Sequence, residues 1–274
     1  MSRGLRLAGA KVLLTGATGG LGQAIARTLA TQGAELCLTG RRTDVLDHLS
    51  AELGATAYAA DLSRPDEVTR LMYEVGPIDV LIAGAGVPAG GRVGQFDDEA
   101  LDEAIAVNLR APMTMARAAA KVMQGQGKRG HIVFVGSIGG RVSSGDTAVY
   151  NATKFGLRGF ALGLRDDLRT SGIGVSLVEP GFVHGAGMFA DSGVRLPPGF
   201  RTTSLRRVTD AVVDAIECDV AVLTVAPVEL RIGVWLGSIA PELSSRIQRL
   251  TGMTLARSTP DPSAGQQSSA PLSR

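Results

Sequence analysis

Cysteine, histidine, aromatic residues and net charge are all scarce in this 274-residue sequence. The two cysteines, Cys37 and Cys218, lie far apart and outside any C-x-x-C pair, and His48, His131 and His184 are scattered. That pattern excludes a disulfide framework and offers no spacing for a zinc site, so no metal and a reducing, cytoplasmic compartment are expected. Lys and Arg number 28 against 26 Asp and Glu, a formal net charge of only +2. So small a surplus argues against a nucleic-acid partner or an anionic membrane surface. The most apolar late stretch, Val220 to Ala240, is interrupted by Pro227, Glu229 and Arg231. It falls short of the ~18 unbroken apolar residues of a membrane span. The lead from Met1 to Lys11 is too short for the ~7–15-residue apolar core of an export signal, so a chain with no integral membrane segment is expected.

Apolar residues make up 45% and charged residues 20%, the balance of a folded chain. The 36 glycines are dispersed along the sequence and punctuate turns. Seven short runs rich in β-branched residues and leucine read as strands: Val12–Thr15, Glu35–Thr39, Thr56–Ala60, Val80–Ala83, His131–Val135, Val175–Val178 and Val222–Val225. Helical patterns lie at Leu21–Gln32, Thr43–Leu53, Pro65–Val75, Asp97–Gln124, Ala148–Thr170 and Thr209–Glu217. Because the strand runs are nearly all apolar rather than alternating, they suit burial on both faces of a parallel sheet. The alternation predicts an α/β fold, a doubly wound parallel sheet (Rossmann fold) of about seven strands with helices on both faces. No repeat or linker divides the chain. A single domain over residues 1–256 is expected, followed by a Ser-, Pro- and Gln-rich tail, 257–274, expected to be disordered.

The segment Thr15-Gly16-Ala17-Thr18-Gly19-Gly20-Leu21-Gly22 follows the first strand and opens the first helix. Glycines there let the backbone approach a pyrophosphate while the helix N-terminus faces the anion. Two registers fit, Gly16/Gly20/Gly22 and Gly16/Gly19/Gly22, and the loop alone does not choose between them. An acidic residue after the second strand would bind the ribose hydroxyls of NAD. That place holds Gly40, followed by Arg41 and Arg42, whose guanidinium groups suit a 2′-phosphate. NADP(H) is therefore the preferred cofactor, with NAD(H) also admitted.

Tyr150 and Lys154 stand at i and i+4 in a helical pattern, one turn apart on one face. A phenol is a poor acid or base at neutral pH, and a neighbouring ammonium would favour its ionised form. With the T-G-x-x-x-G-x-G loop, Asn108 in the long central helix and Ser137 just after the fifth strand, this sequence resembles the short-chain dehydrogenase/reductase family over roughly residues 8–230. The resemblance implies an Asn-Ser-Tyr-Lys set in which Tyr150 exchanges a proton with the substrate oxygen and Ser137 hydrogen-bonds it. Lys154 would lower the tyrosine pKa and hold the ribose, and Asn108 would support a water relay to Lys154. It also implies cofactor contacts from Gly16, Thr18, Gly20, Leu21 and Gly22 in the loop, and from Asp61 and Leu62 at the adenine end. Ala85 and Gly86 would follow the fourth strand, with Pro180, Gly181 and Val183 beside the nicotinamide.

Two segments depart from the family pattern. The usual Asn-Asn-Ala-Gly is Ala83-Gly84-Ala85-Gly86, which removes two bracing amides, and the usual threonine after Pro180-Gly181 gives way to His184 and Gly185. An apolar pocket is expected from Val87, Ile138 to Val142, Val149, Phe182, Met188 and Phe189, under a substrate lid at about 182–205. Arg141 is a weak candidate for pairing with a substrate acid. The reading is an NADP(H)-dependent oxidoreductase acting on a ketone, aldehyde or secondary alcohol of an apolar small molecule. The resemblance also suggests a homodimer or homotetramer. An epimerase or dehydratase would share the fold but needs a larger substrate domain. A non-catalytic NADP(H)-binding sensor is expected to lose the tyrosine or the lysine. The stretch Val228 to Leu250 could line the pocket, bury an interface or touch a membrane surface.

Overall fold

The computed structural model describes residues 4–127, 129–191 and 201–251. Its elements run β1 (Lys11–Thr15), α1 (Gly20–Thr31), β2 (Glu35–Gly40), α2 (Thr43–Leu53), β3 (Thr56–Ala59), α3 (Pro65–Val75) and β4 (Val80–Ala83). Then come α4 (Asp98–Ile105), α5 (Ala111–Gly125), β5 (Gly130–Val135), α6 (Ala148–Leu168), β6 (Ile173–Pro180), β7 (Val183–His184) and α7 (Met188–Asp191). After β8 (Thr203–Ser204) the chain forms α8 (Leu205–Glu217), β9 (Val222–Val225), α9 (Val228–Ile239) and α10 (Pro241–Thr251). Seven strands form one parallel sheet in the order β3-β2-β1-β4-β5-β6-β9, while β7 and β8 pair separately. The order reverses between β1 and β4, so their carboxyl ends open a crevice, the place where such sheets bind ligands.

Strand periodicity sorts the core into two layers. Leu13 of β1 packs with Leu81, Ile132 and Phe134 against α3, α5 and α6. Its neighbours Val12 and Leu14 point the other way, onto α1, α2 and α8. Each such leucine contributes roughly 1.5–3 kcal/mol by leaving water. Local signals fix the helix ends. Proline opens α3, Asp66 and Glu67 follow in its first turn, and Gly76 ends it at φ 68°. Gly54, at φ 64°, ends α2.

The structure corrects several sequence expectations. Burial on both faces fails at the rims, where β3 is largely exposed and β9 half-buried, as edge strands with one neighbour. The helix expected over Asp97–Gln124 is interrupted by a π turn at Ala106–Arg110. Pro112 explains it. In an unbroken α-helix its ring would press on the carbonyl of Asn108 and it has no N–H to donate. The ladder shifts instead, and the Ala111 N–H bonds to the Ala106 carbonyl. Helix α8 starts at Leu205 rather than Thr209, because the Ser204 hydroxyl accepts from the Arg207 N–H. Part of the expected lid, 192–200, and the tail 257–274 lie outside the described residues.

Candidate active site

The crevice is built first by what its glycines leave out. Gly16 has φ +73°, and a Cβ there would sit 2.7 Å from the Ala85 Cα. At Gly22 a Cβ would fall 2.0 Å from the Gly16 carbonyl oxygen, and at Gly20 it would meet the Ala186 Cβ at 2.4 Å. Gly19 would meet only ordinary contact, 3.4 Å away. Close packing therefore requires Gly16, Gly20 and Gly22, which resolves the two registers. No side chain caps α1, and its first turn carries no acidic residue, so its positive end favours an anion.

The missing amides after β4 are replaced from across the crevice. The Thr15 hydroxyl accepts from the N–H groups of Gly84 and Ala85, both at 3.1 Å. A Cβ at Gly84 would lie 2.9 Å from the Thr15 carbonyl, so this tight approach suits glycine there. Bracing survives the departure through a residue that sequence reasoning passed over.

At the far end of the crevice, a Cβ on Gly40 would meet the Thr18 hydroxyl at 2.7 Å, so no acidic side chain fits without moving Thr18. Arg42 donates to the Thr18 carbonyl, and Arg41 pairs with Glu103 at 2.7 Å on the surface. Asp61 accepts from the Ser63 N–H and hydroxyl. Burial pushes its carboxyl up, but these bonds hold it below the usual range. Thr39 is buried on the same wall with no partner for its hydroxyl. A glycine cradle, two arginines and an unpaired hydroxyl fit the phosphates and ribose of a dinucleotide.

The chemical centre lies where β5 meets α6. Two glycines let these approach: a Cβ at Gly140 would fall 2.7 Å from the Lys154 carbonyl, and one at Gly139 would be 3.2 Å from the Tyr150 ring. Asn151 fastens the contact by donating to the Gly139 carbonyl at 2.7 Å, a positioning role the sequence did not reveal. The same added carbon at Gly139 would lie 3.4 Å from the Ser137 hydroxyl, so Ser137 and Tyr150 border one glycine. Lys154 donates to the Val135 carbonyl at 3.2 Å, its ammonium 5.8 Å from the Tyr150 ring centre. Burial pushes the phenol up, with the Ser137 hydroxyl acting against it, and pushes Lys154 down to about 8. Burial is the larger cause at Tyr150, and the phenol keeps its proton. Asn108, expected to support a water relay, is buried in the π turn. Its amide is spent on Val87, accepting from the N–H at 2.8 Å and donating to the carbonyl at 3.0 Å. It thus holds the loop at Gly86, where a Cβ would lie 3.2 Å from the Asn108 oxygen and 3.9 Å from the Lys154 nitrogen.

One cavity of about 990 Å³ joins all these parts. The expected cofactor positions Gly16, Thr18, Gly20, Leu21, Gly22, Arg41, Arg42, Asp61, Leu62, Ala85, Gly86, Pro180, Gly181 and Val183 all line it, with Ser137, Tyr150 and Lys154. Asn108 stands behind its wall. Val87, Ile138, Val142, Phe182, Met188 and Phe189 form apolar walls as expected. Val149 instead packs beneath, with Ala104 and Val107. Arg141 turns to Glu179, 3.7 Å away, rather than toward a substrate acid. His184 is exposed and pairs with the Thr202 hydroxyl at 2.8 Å. Glu179, which sequence reasoning also missed, is fully buried; it accepts from Arg158 on α6 and, at 3.0 Å, from the Thr224 hydroxyl on β9.

Among the described residues no helix is long and apolar enough to cross a membrane. A family model described as short chain dehydrogenase matches residues 10–194. Nodulation protein G of Rhizobium sp. (strain N33) is 36% identical over 186 residues, covering 66% of this chain and 76% of that protein. Ketoacyl reductase HetN of Nostoc sp. is 32% identical over 263 residues, 90% of this chain and 91% of the relative. The solved structure of a short-chain dehydrogenase from Sphingobium yanoikuyae in complex with NADPH superposes with TM-score 0.73 at 26% identity, covering 92% of this chain and 99% of that one. Match, fold and clustered side chains agree: the chain belongs to the short-chain dehydrogenase/reductase family, NAD(P)-dependent oxidoreductases of carbonyl and alcohol groups.

Proposed function

We propose that this chain interconverts a ketone or aldehyde with the corresponding alcohol on an apolar small molecule, with NADP(H) preferred to NAD(H). The observation that carries this reading is that Ser137, Tyr150 and Lys154 line one largely apolar cavity continuous with the glycine turn. The turn and the α1 N-terminus would hold the pyrophosphate, Arg41 and Arg42 a 2′-phosphate, and Asp61 and Leu62 the adenine end. When bound, the dinucleotide supplies the hydride. Tyr150, protonated at neutral pH, gives its proton to the substrate oxygen, and Ser137 orients that oxygen by hydrogen bonding. Lys154, still mostly charged at neutral pH, stabilises the phenolate left behind. The absence of room for an acid at Gly40 supports the NADP(H) preference. So does the NADPH bound to the Sphingobium relative.

A homo-oligomer built on α5 and α6 is part of this reading, supported by exposed Met113, Val122, Phe155 and Leu162 on those helices. A cytoplasmic location is also part of it, supported by the unpaired state of Cys37 and Cys218. The decisive experiment is Tyr150→Phe. NADPH-dependent reduction of an apolar ketone should fall about 10²–10⁴-fold, while NADPH affinity, read by fluorescence titration, stays near that of the parent. Turnover at the parental rate would remove Tyr150 as the acid.

A further inference from the structure

Helices α9 and α10 leave a row of large apolar side chains in water: Trp235 is 56% exposed, Leu236 53%, Ile239 64% and Leu243 58%. All four also form part of the wall of the catalytic cavity. The other side of α9 is packed. Val234 is buried, and a Cβ at Gly237 would come within 3.1 Å of Val142, on the loop that follows Ser137. The row therefore lines the same cavity as the reacting hydroxyls, on the side where α9 meets the stretch after Ser137. Charge is missing from it. The charged residues among the described lining are Arg41, Arg42 and Asp61 at the dinucleotide end, Lys154 at the centre, and Glu229, which is tied to Arg201 at 2.7 Å.

An uncharged apolar bed in the same cavity as the proton donor matches the substrate itself. We propose that Trp235, Leu236, Ile239 and Leu243 seat a long uncharged hydrocarbon tail of the molecule whose carbonyl meets Ser137 and Tyr150. The C-terminal helices then set chain-length specificity. This inference rests on the reductase reading of the same site, and its test separates the two.

The test uses methyl ketones whose alkyl chain grows from propyl through hexyl to decyl. As methylenes leave water, kcat/KM should rise about fourfold for each until the bed is filled. The Leu236→Ser/Leu243→Ser double variant should lower the decyl-to-propyl ratio about tenfold. Ile232→Ser, exposed on α9 but outside the cavity wall, should leave that ratio unchanged. Trp235 is the sole tryptophan of the chain, so its emission reports the bed without turnover. Decyl methyl ketone should shift it to the blue, and propyl methyl ketone should not. Equal kcat/KM across the series with no emission shift overturns the tail bed and leaves the reductase reading standing. A decyl-induced shift with no ketone reduced overturns the reductase reading and leaves the bed standing. A shift that follows protein concentration, or that needs lipid vesicles rather than dissolved ketone, assigns the row to a second copy or a bilayer and overturns the inference.

Discussion

The two walls of the cavity are made by opposite means. On the glycine-turn side, backbone meets backbone, and side chains are absent because there is no space for them: at Gly22 an added carbon would overlap the Gly16 carbonyl. On the α9–α10 side, large side chains stand in solvent and much of their surface touches nothing. The span matched by the family model ends at residue 194, before α9 begins. Tolerance thus differs by wall. A shared cofactor demands fixed backbone positions, whereas a wall made of protruding side chains can change its specificity without disturbing the sheet.

The largest effect should come from forcing one wall to behave like the other. Gly22→Ala should destabilise the protein by about 3 kcal/mol through overpacking against backbone and abolish measurable NADPH binding, whereas Gly19→Ala should melt within a few degrees of the parent. Thermal melts with and without NADPH check both, and equal behaviour of the two variants would erase the contrast drawn here. Acid should then act on the sheet side. His131 on β5 is buried, its Nε2 2.9 Å from the Ser176 hydroxyl, and burial pushes its pKa from 6.5 down to about 4. The unfolded chain binds a proton there below pH 6.5 while the folded one resists until about 4. Stability contributed above pH 6.5 is therefore lost as pH falls toward 4, by about 3 kcal/mol at most. Urea unfolding across that window measures the slope, and His131→Gln should flatten it. The smallest effect concerns cofactor choice. Replacing Arg41 and Arg42 together by alanine should weaken NADPH about tenfold more than NADH, about 1.4 kcal/mol. Giving up the exposed Arg41–Glu103 pair costs only ~0–1 kcal/mol. Equal losses for the two dinucleotides would overturn the assignment of these arginines.

Much of the sheet was legible because its central strands are apolar runs bounded by turns, and α3 because proline and glycine mark its ends. The catalytic cluster was legible through short spacings: Tyr150 and Lys154 share a helix face, and the glycine turn adjoins its strand. What stayed hidden depends on distant partners. The register of the turn is decided by Ala186, and the brace that replaces two amides comes from Thr15, far from Gly84 in the chain. The break in the central helix had a local signal, Pro112 four residues after Asn108, that was overlooked. Helices α9 and α10 escaped because α9 is apolar on both its packed and its open side, which hides the helical period. The direction of the Tyr150 shift was unreadable for a related reason. Spacing gives proximity to the lysine but not the burial of the phenol.

Glu179 has an outcome for how this protein changes over generations. One carboxylate fastens the helix of Tyr150 through Arg158, the stretch after Ser137 through Arg141, and the last strand through Thr224. Losing it would strand two largely enclosed guanidinium groups, and losing Arg158 would strip the carboxylate of its nearest counter-ion. Arg158 and Glu179 can thus be exchanged only together without leaving an enclosed charge alone, a constraint that the exposed side chains at Trp235 do not share.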